Sequence, residues 1–239
     1  FFFKQKTAYE ILKTPLFSPE RNRIIQETAI QINSDEAIAV ERKVYSFGQF
    51  DQMQRFWLIY TQPKLIEESI KQQIQSTSIG AQLIDYRIDN LENLSKPVVL
   101  SYSYNGTEFL ISAEDLRMLP PLAELDTSIV AKENRTYPID FITPETIEKK
   151  IVIDLPDTLS LKYMPEGVRK SSEWFDFVVE YDFKDGQIIF YQKQTIKKTL
   201  ITQSEYSEFK LLLEDLGKAI NKRIVLQKKE NDLSRQGTE

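Results

Sequence analysis

The stretch from Trp174 to Lys229 constrains the fold more tightly than any other part of the chain. Phe175, Phe177, Val179, Tyr181 and Phe183 form the longest alternating run in the sequence, the period of a half-buried strand. Asp185-Gly186 then turns the chain back into a second strand over Gln187–Lys193. Thr195–Thr202 leads on to a helix predicted over residues 203–220. Thr202 and Glu205 have the spacing of a capping box, in which each satisfies one free amide of the first turn. Tyr206, Phe209, Leu213, Leu216 and Ile220 recur at steps of three and four and so share one face. Ser207, Glu208, Lys210, Glu214, Lys218 and Asn221 fall mostly on the other. Arg223–Leu226 follows as a short apolar strand. Such a stripe must be buried, and the neighbouring strands are its expected partner.

The residue types that are missing narrow the chemistry. The 239 residues include no Cys and no His. A Cys–His nucleophile pair, a Ser–His–Asp triad and the usual zinc and copper ligand sets are therefore excluded. Seven glycines, at 48, 80, 106, 167, 186, 217 and 237, lie too far apart to build a phosphate-cradling loop. The net charge is −5 and basic residues rise no higher than pairs such as Lys149-Lys150 and Lys197-Lys198, so nothing marks a nucleic-acid partner. No apolar run approaches the roughly 20 residues of a membrane helix.

Earlier segments also read mainly as strands. Ile24, Ile30 and Ile32 alternate with polar neighbours, as do Ile38, Val40 and Val44 beyond an Asn33-Ser34-Asp35 turn. Phe50, Met53, Trp57 and Tyr60 repeat at helical spacing and are expected to face the core, a binding strip being the alternative. Pro63 suits the first turn of a second helix lined by Ile66, Ile70 and Ile74. Strands are expected at Gln82–Asp89, Val98–Tyr104 and Glu108–Ser112, the last two joined as a hairpin through Asn105-Gly106. Pro120-Pro121 and the acidic Glu124–Asp126 mark a boundary. Beyond it Tyr137–Phe141, Ile151–Leu155 and Leu159–Tyr163 read as short strands. The predicted fold is mainly β, antiparallel and sandwich-like, with a few docked helices. It divides into two β-rich modules: residues 12–125, with helices near 50–75, and 126–229, with the helix at 203–220. A polar tail, 230–239, closes the chain.

Residues 1–11 are unlike the rest. Phe-Phe-Phe-Lys-Gln-Lys-Thr-Ala-Tyr-Glu back-translates, after a run of T, to CAAGCAGAAGACGGCATACGAG, and the Ile11 codon continues it. That is a common short-read sequencing adapter. The segment is expected to be translated adapter fused to a reading frame that lost its true 5′ end, and to play no part in the fold.

Few side chains suggest a site. Trp57, Tyr102, Tyr104 and Trp174 could form a carbohydrate- or peptide-binding face, although strand and helix packing explains their spacing equally. The pairs Asp182/Asp185 and Glu124/Asp126 are the candidates for a carboxylate-based hydrolase, but 36 acidic residues produce such pairs by chance. Asn93, Asn105 and Asn134 open glycosylation-type triplets. No residue is assigned a catalytic, cofactor-binding or metal-binding role.

The order of several short runs carries more. Arg135-Thr-Tyr-Pro-Ile-Asp-Phe141, Ile151-Val-Ile-Asp-Leu-Pro156 and Leu161-Lys-Tyr-Met-Pro-Glu-Gly-Val168 resemble a bacterial family of transglutaminase-like proteins. So do Phe175–Tyr191, Ser204-Glu-Tyr-Ser-Glu-Phe-Lys210 and Lys222-Arg-Ile-Val-Leu226, and the earlier stretch from Thr14-Pro15 through Phe47-Gly48 and Arg55 to Leu119 fits as well. In that family a papain-like core is followed by a β-rich region, and residues 12–229 are similar to that region. The resemblance implies a non-catalytic accessory role, a core of the same polypeptide as partner, and export to the periplasm or cell surface. The family's Cys, His and Asp have no counterparts here to transfer.

Overall fold

In the computed structural model, residues 18–229 are described; the adapter-like segment 1–11 and the tail 230–239 lie outside them. The elements in chain order are β1 (Arg23–Ile32), β2 (Ile38–Ser46), α1 (Gln49–Tyr60), α2 (Pro63–Thr77), β3 (Gln82–Asp89), β4 (Val98–Gly106), β5 (Ile111–Ala113) and β6 (Leu116–Met118). There follow β7 (Ile139–Asp140), β8 (Glu145–Asp154), β9 (Leu159–Tyr163), β10 (Val168–Ser171), β11 (Phe175–Lys184), β12 (Gln187–Ile196), β13 (Leu200–Ile201), α3 (Tyr206–Ile220) and β14 (Val225–Lys228).

The fold is mainly β, with large antiparallel sheets and docked helices, as the alternating runs predict. An eight-stranded sheet has the order β10-β11-β12-β8-β1-β2-β4-β3, and a four-stranded sheet the order β5-β6-β14-β9. Strand β13 pairs with β7. Asp185 and Gly186 both adopt positive φ, the geometry of a tight hairpin, and β11 and β12 pair from Lys184–Gln187 outward. Among the described pairings β1 and β8 run parallel and the others antiparallel.

Segments 12–125 and 126–229 each supply four strands to the larger sheet and two to the smaller. They meet where Arg23–Gln31 of β1 lies beside Thr146–Asp154 of β8. One face of the eight-stranded sheet is buried, and residues from both segments join one apolar cluster that includes Ile32, Ile38, Val98, Leu119, Ile153, Phe177, Ile188 and Leu226. The smaller sheet is tied to the β1–β2 turn by Glu36, which accepts from Arg117 Nε at 2.6 Å and lies 2.9 Å from Lys228 Nζ.

Two local expectations are corrected. Asn105-Gly106 is not a hairpin turn. It is the end of β4, paired with Ala39 and Ile38 of β2, while β5 turns away into the other sheet. Gly106 serves close approach: a Cβ there would stand 2.6 Å from Ser78 Oγ. Helix α1 is also rotated from the expected face. It buries Arg55 and Leu58, half-buries Trp57, and leaves Met53 and Tyr60 exposed together with Phe56 and Ile59.

Arg55 explains the rotation. Its guanidinium donates to the carbonyls of Asn90 and Leu91, both at 2.5 Å, of Lys96 at 2.6 Å and of Asn93 at 3.3 Å. It also forks onto Asp51, at 2.7 and 3.0 Å. Asp51 Oδ1 in turn accepts from Val98 N at 2.7 Å. The loop between β3 and β4 thus closes around one arginine, and placing that arginine inward turns the apolar stripe out. Removing one partner of a buried, hydrogen-bonded charge pair costs about 3–5 kcal/mol. Arg55→Met is expected to lose stability on that scale in urea unfolding; a loss below about 1 kcal/mol would contradict this role for Arg55.

Candidate functional site

Helix α3 seats on the inner face of the eight-stranded sheet with Tyr206, Phe209, Leu213, Leu216 and Ile220 buried, the expected stripe. Its first turn differs from the expected one. The helix starts at Tyr206 rather than 203, and only half of the capping box forms. Glu205 Oε2 accepts from Thr202 N at 2.9 Å, but the Thr202 hydroxyl donates back to the same carboxylate at 2.7 Å and caps no helical amide. The carboxylate has competing partners: Glu205 Oε1 accepts from Trp174 Nε1 at 3.2 Å and pairs with Lys198. Lys198, then Thr202 and Trp174, hold its pKa down at about 2. Glu205 therefore ties the start of α3 to the start of β11.

Across the helix from Trp174, the chain from Pro121 to Thr127 is clamped onto the sheet by two buried polar side chains. Gln192 acts as a length of strand: its Oε1 accepts from Glu124 N at 2.9 Å and its Nε2 donates to Glu124 O at 2.6 Å. Lys149, only 8% exposed, donates to Leu122 O at 3.0 Å and to Glu124 Oε1 at 2.7 Å. Burial pushes the Lys149 pKa down and Glu124 opposes that shift.

The clamp and α3 flank two neighbouring spaces. An outer cleft of about 920 Å³ runs between Pro121–Thr127 and the C-terminal half of α3, where Glu214, Gly217 and Lys218 line it. Leu125, Asp126 and Gln194 line both this cleft and an inner chamber of about 350 Å³ beneath the helix. Ile129, Phe141, Trp174, Phe175, Phe209 and Leu213 form much of the chamber wall. Phe209 meets Trp174 and Phe141 edge-on, with ring centroids 6.0 and 6.1 Å away. Besides Asp126, the half-buried Glu145 lines this mostly apolar space, and burial raises its pKa. A separate groove of about 660 Å³ lies on the other flank of α3, against Val168–Trp174.

Most residues singled out in the sequence lie elsewhere or are already engaged. Tyr102 and Tyr104 stack 6.4 Å apart in the core, and burial raises both phenols, that of Tyr104 to about 12. Trp174 is buried on Glu205 and Trp57 packs against the core, so these four aromatics make no exposed binding face. Glu124 is paired with Lys149. Asp126 accepts from Ser128 N at 2.8 Å, and Ser128 holds its pKa low. Asp182 accepts from Phe183 N at 2.8 Å on the exposed end of β11, beside Asp185 of the turn. Asn93 accepts from Ser95 within its own loop, Asn105 belongs to β4, and Asn134 is exposed. Among the described residues no group of three or more Asp or Glu is placed to hold a metal ion.

Glu145, Gln192 and Gln194 went unnoticed in the sequence, and Lys149 was read only as half of a basic pair, yet a signal was present. The alternation Ile151, Ile153 extends backward through Lys149, Ile147 and Glu145 on one face. That of Ile188 and Phe190 extends forward through Gln192 and Gln194.

Residues 115–226 match the family model of a domain of unknown function with a solved structure, DUF3858. The match runs from the residue before β6 into β14 and so contains the clamp, the chamber and α3. No curated protein matches the chain.

The Glu205 contacts carry a definite pH dependence. Its folded pKa lies below the ordinary 4.5, so they stabilise the fold above that value and are lost as pH falls toward about 2. Glu205→Gln should therefore melt below the parent near pH 7, and the two melting temperatures should converge as the pH approaches about 2. A gap that stays constant over that range would show that the carboxylate charge is not what Lys198 and Trp174 hold.

Proposed function

We propose that the chain is a non-catalytic accessory region of an exported bacterial transglutaminase-like protein. Its role is to stabilise the catalytic core of the same polypeptide, shape access to that core's cleft, or bind a partner. The supporting observation is how the residues behind the resemblance are used. Those from Arg135 onward fall inside the matched stretch, and they turn and pack the chain. Arg135 donates to Ile129 O at 2.9 Å and sits over the Tyr206 ring; Asp140 accepts from Ile142 N at 2.8 Å; Pro156 O accepts from Leu159 N at 3.0 Å. Gly167 lies so close to Val179 that a Cβ would stand 2.8 Å from its carbonyl oxygen. With no Cys or His in the chain, cysteine-protease-type chemistry would have to come from another part of the protein. No helix among the described residues is long and apolar enough to cross a membrane.

The outward strip of α1 suits a contact role. Met53, Phe56, Ile59 and Tyr60 are each more than half exposed, and the Phe56 and Tyr60 rings lie 4.8 Å apart. The complete gene provides the test. Its upstream part is expected to encode a core with Cys, His and Asp, and an intact upstream region without them overturns the proposal. With that core in hand, Phe56→Lys with Tyr60→Lys should weaken association in trans. Stability should change by no more than about 0.5 kcal/mol per site, because both side chains are exposed.

A further inference from the structure

We propose that the inner chamber beneath α3 binds a small aromatic or branched-aliphatic ammonium, with Glu145 as its counter-ion. This inference stands apart from the accessory reading above. The chamber's volume, about 350 Å³, falls within the roughly 300–1,000 Å³ of small-molecule sites. Its lining is predominantly apolar, with a few convergent polar groups, the usual make-up of such a site.

The unusual group is Glu145. It stands on the sheet floor beside Ile147 and opposite Ile196, and among the described residues its carboxyl has neither a hydrogen-bond nor an ion-pair partner. The cations nearby in the fold are committed elsewhere, Lys149 to Leu122 O and Glu124, and Lys198 to Glu205 and Glu173. The Gln194 side chain, two residues before Ile196 on the same face, also has no hydrogen-bond partner among the described residues. A carboxyl in apolar surroundings carries a desolvation cost that a donor-bearing cation offsets. An ammonium supplies the charge and the N–H donors together, Gln194 Oε1 offers a second acceptor, and the aromatic walls of Trp174, Phe141, Phe175 and Phe209 favour cations over anions.

The chamber shares Leu125, Asp126 and Gln194 with the outer cleft, so the two lie side by side. Of the carboxylates lining that cleft, Glu124 is paired with Lys149 and Glu214 with Lys210, while Asp126 has no cationic partner among the described residues. Asp126 is the other titratable group lining the chamber, and its carboxylate is occupied by Ser128.

The test titrates the full chain with phenethylammonium and, separately, with the neutral 2-phenylethanol, followed by calorimetry and amide chemical shifts. Saturable one-to-one binding of the ammonium is expected, with shifts centred on β8, β12 and α3. Binding should be at least about tenfold weaker for the alcohol, and Glu145→Gln should weaken the ammonium by a similar factor. In the unaltered protein, saturating ammonium should move the Glu145 carboxyl titration to lower pH. Any one of four results overturns the proposal: no binding, equal binding of ammonium and alcohol, undiminished ammonium binding by folded Glu145→Gln, or a Glu145 titration that the ligand leaves unmoved.

Discussion

Strands β1 and β8 lie in parallel over nine residue pairs, and the rest of the structure is arranged around that ladder. Each would otherwise be the open edge of a four-stranded half-sheet, with a row of unpaired amides and carbonyls. Joined, they make one eight-stranded surface whose inner face needs a continuous cover. Helices α1 and α2 cover the β2–β4–β3 end, the small sheet covers the region of the β1–β2 turn, and α3 covers β8, β12 and β11. The ladder also brings Gln26 of β1 opposite Lys149 of β8, while Gln192 of β12 faces Lys149 from the other side. Gln26 Oε1 accepts from Arg42 Nη2 at 2.7 Å, so a polar row crosses the inner face.

That row gives the core its internal division. On one side lie Ile151, Ile153, Ile188 and Phe190, packed toward the small sheet; on the other lie Glu145, Ile147, Gln194 and Ile196, beneath α3. Lys149 and Gln192 satisfy themselves on the backbone of Leu122–Glu124 and so fix where that segment crosses the face. The segment and α3 therefore stand apart by a distance set by polar contacts, and the chamber occupies the gap. A helix held at its start by Glu205 and along its length by an apolar stripe need not close onto the sheet everywhere. The inner chamber and the flanking clefts are the space it leaves.

Elements with local causes were legible. The β11–β12 hairpin follows from alternation and Asp-Gly, α2 from Pro63 and its isoleucines, and the buried face of α3 from its spacing. Where a local signal competed with a demand from a distant segment, the reading failed. Asn105-Gly106 has the composition of a turn, but Gly106 was required for close packing on Ser78, a demand made by a residue far off in the chain. The apolar stripe of α1 was the stronger periodic signal, yet Arg55 outweighed it because the carbonyls of a loop some 40 residues away need donors. Glu145 was legible in principle, since the alternation extends to it, but a carboxylate at the end of a strand ordinarily reads as solvated.

The sequence by itself determined most of the longer strands, the helices, the β11–β12 hairpin, and the exclusion of chemistry that needs Cys or His, because each depends on residue type or on short-range period. The tertiary structure alone decided that β1 and β8 share a ladder, that Lys149 and Gln192 turn inward onto a crossing segment, and that Glu145, without a partner among the described residues, lines a mostly apolar chamber. Those outcomes depend on which backbone groups meet across large sequence separations. A buried polar group takes the partner that three-dimensional packing brings to it, and residue order alone does not specify that partner.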